Sequence, residues 1–254
     1  MDRFSRLEFG DETTPSGRKP RGEPARDADY YHKEAVKYWL AADYELALRN
    51  YSRALEQNST MFEAWAGQVL MLIELGEYPE ARIWADKALG FFPEHPELLA
   101  LKALACARDA KMDQAVAYSD NAVGKDHLTP RVWLVRAEVF RERKGPIAEG
   151  CINKAIACAG QLLPIVKLEA GRVLARKRNY VLAIQYLKEA VQDLPQSPLA
   201  WYELGCCQAR LGLPEAVHSL EQSRHLRPDW DLPKQRLRKV GKRGFFRGLL
   251  GIWL

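Results

Sequence analysis

The 254-residue sequence predicts an all-α solenoid, and three observations predict it. Alanines seven apart recur as Ala47/Ala54, Ala81/Ala88, Ala115/Ala122, Ala148/Ala155 and Ala183/Ala190, then as Ala216/Ser223. The first members are separated by 34, 34, 33, 35 and 33 residues. Seven residues span about two helical turns, so each pair marks one helix face, and small side chains there admit a neighbouring helix. Upstream of the pairs, Trp65, Trp133 and Trp201 occupy one equivalent position, which Tyr31 and Leu99 fill in two further units. Downstream, Pro93, Pro195 and Pro228 stand five residues beyond the second small residue, where a helix has to stop.

Each element follows in order. Residues 1–27 carry mixed charge, three prolines and few large apolar groups, the composition of a disordered arm. Six helical hairpins then occupy residues near 28–61, 62–95, 96–129, 130–163, 164–197 and 198–229. Their turns show as Leu75-Gly76-Glu77-Tyr78, Lys177-Arg178-Asn179-Tyr180 and Leu211-Gly212-Leu213-Pro214. The fourth turn, Arg143-Lys144-Gly145-Pro146, is shortened, so the second helix of that unit is expected to be displaced while the array continues. Residues 230–240, with Asp231 as N-cap and Pro233 early in the helix, predict a capping helix. Residues 241–254 form a distinct tail.

The sequence Trp201-x-x-Leu204-Gly205, followed by Ala216-x-x-x-Leu220 and Pro228, resembles the tetratricopeptide repeat, a 34-residue unit. The resemblance covers about residues 28–229 and implies a right-handed superhelix of helical hairpins. It implies protein–protein interaction, with the first helix of each hairpin lining a concave groove that holds a partner segment. The family's inward positions fall on His32, Val36, Trp39 and Leu40, then on Gly67, Leu70 and Ile73, then on Leu101, Leu104 and Arg108. The later units place Arg131, Leu134 and Glu138, Arg172 and Arg176, and Tyr202 and Arg210 there. That groove is apolar in its first half and arginine-rich in its second, suited to an apolar or helical peptide at one end and carboxylates at the other. Packing between hairpins is the other role open to its apolar residues. Chaperone-binding members of the family grip a C-terminal carboxylate with Lys, Asn and Arg. The matching positions here are His32, Val36, Gly67, Glu97 and Leu101, so Hsp70/Hsp90-type tail binding is not expected.

Composition sets bounds around this. The formal charge is +5, with 47% apolar and 28% charged residues, which excludes a wholly disordered or collagen-like chain. The positive excess is local: from Lys234 onward there are 7 basic residues and no acidic one, whereas residues 1–233 carry 31 basic and 33 acidic residues. No apolar run approaches the ~18 to 20 residues of a membrane-spanning helix. Acidic residues where a secretory signal would be apolar lead to an expectation of cytoplasmic residence. Five cysteines without a C-x-x-C pair read as reduced thiols.

Motifs for catalysis, nucleotide binding or a metal are missing, so no enzyme activity, cofactor or metal site is expected. His218 and His225 lie seven apart without a third ligand. The tail is the sharpest functional feature. Phe245, Phe246, Leu249, Leu250, Ile252, Trp253 and Leu254 cover a wide helical arc, with Lys242, Arg243 and Arg247 as a basic collar. Such a segment suits an anionic membrane surface, the chain's own solenoid, or a partner protein. Its basic residues precede an aliphatic stretch rather than interleaving with aromatics, so nucleic acid is not an expected partner. Three roles stand open: a soluble adaptor, a scaffold peripheral to the inner face of a membrane, and a regulatory or assembly subunit of a separate enzyme.

Overall fold

The computed structural model describes residues 26–140 and 146–250, with side chains for 26–140 and 147–241. The described residues form thirteen α-helices and no strand. Six hairpins come in order: α1 (Ala28–Leu40) with α2 (Tyr44–Gln57), α3 (Phe62–Glu74) with α4 (Tyr78–Phe91), and α5 (Pro96–Arg108) with α6 (Met112–Val123). Then follow α7 (Pro130–Val139) with α8 (Pro146–Ala157), α9 (Leu163–Arg176) with α10 (Tyr180–Asp193), and α11 (Pro198–Leu211) with α12 (Glu215–Leu226). A last helix, α13 (Asp231–Leu250), packs on α12 and α11. The arm and the turn of the fourth unit lie outside the described residues.

The alanine pairs do what their spacing predicts. Every member from Ala47 to Ser223 is buried, and all but Ala148 are fully so. The unit repeats down to single hydrogen bonds. Trp65 Nε1 donates to Ser59 O and Trp201 Nε1 to Pro195 O, both at 2.9 Å and both six residues back. Gly205 permits close approach within its hairpin, since a Cβ there would lie 2.7 Å from Leu220 Cγ.

The turns inside the hairpins share one backbone solution. Residues 42, 76, 110, 178 and 212 all have left-handed φ, between 59° and 84°. The amide after each donates five residues back: Asp43 to Tyr38 O, Glu77 to Leu72 O, Lys111 to Cys106 O, Asn179 to Leu174 O and Leu213 to Gln208 O. This is the αL helix stop that normally selects glycine. Only Gly76 and Gly212 supply one, whereas Ala42, Ala110 and Arg178 hold the same conformation with a Cβ.

The array continues past the fourth unit as expected, and two details of the last helix differ from expectation. α8 is a 12-residue helix on α7, and a 3-10 turn at Gly160–Leu162 leads into α9, so the array continues past the irregular unit. Asp231 lies inside the first turn of α13, where its carboxylate accepts from Lys234 Nζ at 3.2 Å, instead of standing before it as a cap. The capping segment and the start of the tail are one 20-residue helix, because Gly241, Gly244 and Gly248 do not interrupt it.

Glycine placed at the strained turns should stabilise the chain. Arg178→Gly is expected to gain about 0.5 to 1 kcal/mol in urea denaturation, the left-handed strain relieved outweighing glycine's extra unfolded entropy. Gly212→Ala should lose a similar amount.

Candidate partner-binding surface

The first helices α1, α3, α5, α7, α9 and α11 follow one another along the inner face, each touching the next. The residues assigned to a groove there divide into two groups. Trp39, Leu70, Ile73, Leu101, Leu104 and Leu134 are buried, each at most 5% exposed. The apolar half of the expected groove is therefore a packed seam, because successive first helices are close enough for these side chains to fill the space between them. Val36, Arg108, Arg131 and Tyr202 stay half-buried, and Arg176 and Arg210 are exposed.

The accessible strip begins in the first unit. His32 lies beside Val36 one helical turn on, and its ring tilts against Tyr51 at 5.9 Å. Tyr51 sits where a side chain at residue 67 would be, 2.3 Å from a Cβ added to Gly67. Burial pushes the Tyr51 phenol up to about 12 and moves His32 below its ordinary value. Arg131 follows, with its Nε 3.0 Å from Glu97 one repeat earlier. Tyr202 at the far end packs on Trp230, with ring centroids 4.7 Å apart.

The arginine-rich half is already satisfied from within the chain. Arg172 is 5% exposed, and its guanidinium touches three carboxylates. Nη2 reaches Glu74 on α3 at 2.5 Å, Nη1 reaches Glu169 at 2.8 Å and Nε reaches Glu203 at 3.1 Å. Glu138 accepts from Arg108 Nε and from Arg176 Nη2, the latter at 2.7 Å. Burial would raise the pKa of Glu138, but the flanking Arg176 and Arg108 outweigh it and hold it down to about 2. Burial likewise opposes ionisation of Glu74, and Arg172 overcomes it, leaving the carboxyl below its ordinary range. Tyr44, packed beside this network, has its phenol pushed far up by burial. Arg108, Arg172 and Arg176 are thus ion-pair partners of the fold rather than free receptors for a ligand's carboxylates.

The superhelix also closes on itself. Ser197 Oγ donates to Leu40 O at 2.7 Å. Arg227 Nη1 donates to Ala41 O and Nη2 to Asp43 Oδ2, both at 3.0 Å. Leu40, Ala42 and Tyr44 pack into the apolar cluster of the second half. Glu74, Glu169, Glu203, Tyr44, Ser197 and Arg227 carry this arrangement without having stood out in the sequence. One signal was present: Glu97 and Arg131 are opposite charges one repeat apart on equivalent first helices.

Burial and packing govern the adjacent cysteines and His218. Cys206 and Cys207 are pushed by burial up to about 11 and about 12, which leaves little thiolate at neutral pH. The His218 ring packs edge-on against Trp201 at 6.0 Å. Among the described residues no group of three potential metal ligands occurs. Of the tail residues, Lys242, Arg243, Phe245, Phe246, Arg247, Leu249 and Leu250 belong to α13, but their side chains lie outside the described ones, as do Ile252 and Trp253 altogether.

Comparison with known proteins agrees with the architecture. A tetratricopeptide repeat profile matches residues 32–96 and 168–216, and the chain belongs to that repeat family. An uncharacterised protein of Methanocaldococcus jannaschii is 38% identical over 60 residues, 24% of this chain and 70% of that one. The Hsp70-Hsp90 organizing protein of Triticum aestivum is 24% identical over 201 residues, covering 73% of this chain but only 33% of its own length. Among solved structures, human IFIT1 has a TM-score of 0.56 at 18% identity over 87% of this chain and 65% of that one. A tetratricopeptide repeat protein from Parabacteroides merdae scores 0.52 at 14% identity over 85% of each. At those identities the likeness concerns the fold.

The Glu138 pair supplies a direct test. Its native pKa of about 2 lies below the ordinary 4.5, so its stabilisation is present above about pH 4.5 and is lost as pH falls towards 2. Glu138→Gln leaves two guanidinium groups without their shared carboxylate and should cost about 3 kcal/mol at pH 7 in chemical denaturation. The variant should also show a shallower loss of stability between pH 4.5 and 2 than the parent chain.

Proposed function

We propose that this protein is a non-enzymatic adaptor that binds a partner protein segment along the accessible strip of its inner face. The carrying observation is the strip itself: His32 and Val36 beside Tyr51, then the Arg131–Glu97 pair, form a shallow surface with both apolar and charged edges. The repeat fold supports the reading, since stacked hairpins present a continuous surface built from many short units. Because Glu97 holds Arg131, the strip suits an internal peptide segment better than a free C-terminal carboxylate. A photo-crosslinking residue at Val36 is expected to form an adduct with one defined protein in cells, and Arg131→Glu should abolish it. Adducts from exposed Ile83 on α4, with none from Val36, would move the binding surface elsewhere.

A second reading rests on the length of α13. Among the described residues no other helix exceeds 14 residues, so this 20-residue helix runs about 9 Å further than the longest hairpin helices. The part beyond carries the sequence Phe245-Phe246-Arg247-Gly248-Leu249-Leu250, which suits insertion at a negatively charged membrane surface. Among the described residues no single helix is long and apolar enough to cross a membrane. In flotation assays the full chain should rise with anionic vesicles and not with neutral ones, and a chain ending at Val240 should stay at the bottom. Equal behaviour of both chains would remove the membrane from the account.

A further inference from the structure

The contact between the first hairpin and the last two units differs in kind from every contact within a unit. Inside the hairpins the interface is chiefly apolar packing around fully buried alanines, with few polar links such as Ser219–Gln208. At the closure it is mostly polar. The last turn of α1 ends in carbonyls that have no partner within their helix, and the second half of the chain provides donors for them. Ser197 Oγ takes Leu40 O, and Arg227 takes Ala41 O and the Asp43 carboxylate. A guanidinium at a helix C-terminus also meets the negative end of the helix dipole. Ser197 serves both helices, because its Oγ accepts from Ala200 N at 3.2 Å as the N-cap of α11. The apolar part of the seam is confined to Leu40, Tyr44 and the Ala42 methyl, which pack on the second-half cluster.

Behind the seam lies the Arg172 network. Its link to Glu74 joins α9 to α3 across the inner face, a second long-range contact between the early and late units. Separating a buried ion pair returns both charges to water, and the solvation regained offsets much of the attraction lost. Opening is therefore far less costly here than at any hairpin interface, where it would expose alanine and leucine surface. Regions with few apolar contacts and partly exposed polar links are the ones that open below the global unfolding free energy.

We propose that the start of α11 at Ser197, together with Arg227 at the end of α12, is a docking site for the end of a helix followed by an acidic residue, and that the α1–α2 turn fills it as a releasable latch. Release frees Ser197 and Arg227 and uncovers Tyr44 and, beside it, Arg172. The closed form shields this surface, and the open form presents it. The inference does not depend on where a partner binds, because its test involves no partner.

The test is amide hydrogen exchange on the full chain, with small-angle scattering on the same samples. Asp43→Asn keeps a cap for α2, where Asp43 Oδ1 receives Leu46 N, but removes the charge facing Arg227. Asp43→Asn and Arg227→Ala should each speed exchange at residues 42 and 43, whose amides donate within the hairpin to Trp39 O and Tyr38 O and lose the cover of the seam, about tenfold, the low end of what a hydrogen bond to a charged group contributes. Exchange inside α10 and α11 should stay unchanged, and the radius of gyration should rise. The double variant should be no more open than Arg227→Ala, and Arg227→Lys should recover part of the protection. Parental exchange rates at the turn in both single variants would overturn the proposal. Simultaneous loss of protection in α10 and α11, or of helicity by circular dichroism, would also overturn it, since the seam would then belong to the cooperative core.

Discussion

Every hairpin in this solenoid closes on a pair of small residues seven apart, and these bury their faces against the partner helix with almost no solvent contact. A larger side chain at any of them would push the helices apart and displace the next hairpin as well. Each unit is placed by its neighbour, so the rise and curvature of the array are a sum of such local spacings. Gly171 and Gly205 extend the same constraint to the first helices, where Leu187 and Leu220 stand 2.5 and 2.7 Å from an added Cβ. The aromatic residues, the turns and the inner face all depend on this close packing.

Curvature built up in this way brings the sixth unit round to the first. Charges that would line an open groove then face one another instead of solvent, and they pair. Arg172 meets carboxylates from α3, its own helix and α11, while Glu138 lies between arginines from α5 and α9. Such pairs contribute less net stability than their number suggests, because each charge gives up its hydration. Their larger effect is on register: only one arrangement of the two halves satisfies all of them. A strip around His32, Val36 and Arg131 stays partly accessible, and it and the length of α13 carry the proposed adaptor and membrane readings.

The left-handed turns show how tertiary packing overrides local preference. Ala42, Ala110 and Arg178 adopt the conformation of Gly76 and Gly212 because the two helices they join are held at one spacing. Each of these turns carries a local cost of about 1 to 2 kcal/mol against glycine, which the hairpin packing outweighs. The cost at Ala42 falls in the same turn that docks against Ser197 and Arg227, where the chain's two halves meet.

The sequence alone determined the repeat, its length, the six hairpins and the face on which each pair packs, because a 34-residue period of small and aromatic residues is a local property. It also determined that the positive charge is concentrated after Lys234. Only the tertiary structure decided that Leu70, Ile73, Leu101 and Leu104 are core and that Arg108, Arg172 and Arg176 are paired. Those outcomes depend on curvature, the sum of small angles between successive units, which no single unit encodes. Arg172 and Glu74 are 98 residues apart, and Arg227 and Asp43 are 184 apart. Periodicity places such residues on the right face of the right helix, and superhelical closure alone brings them together.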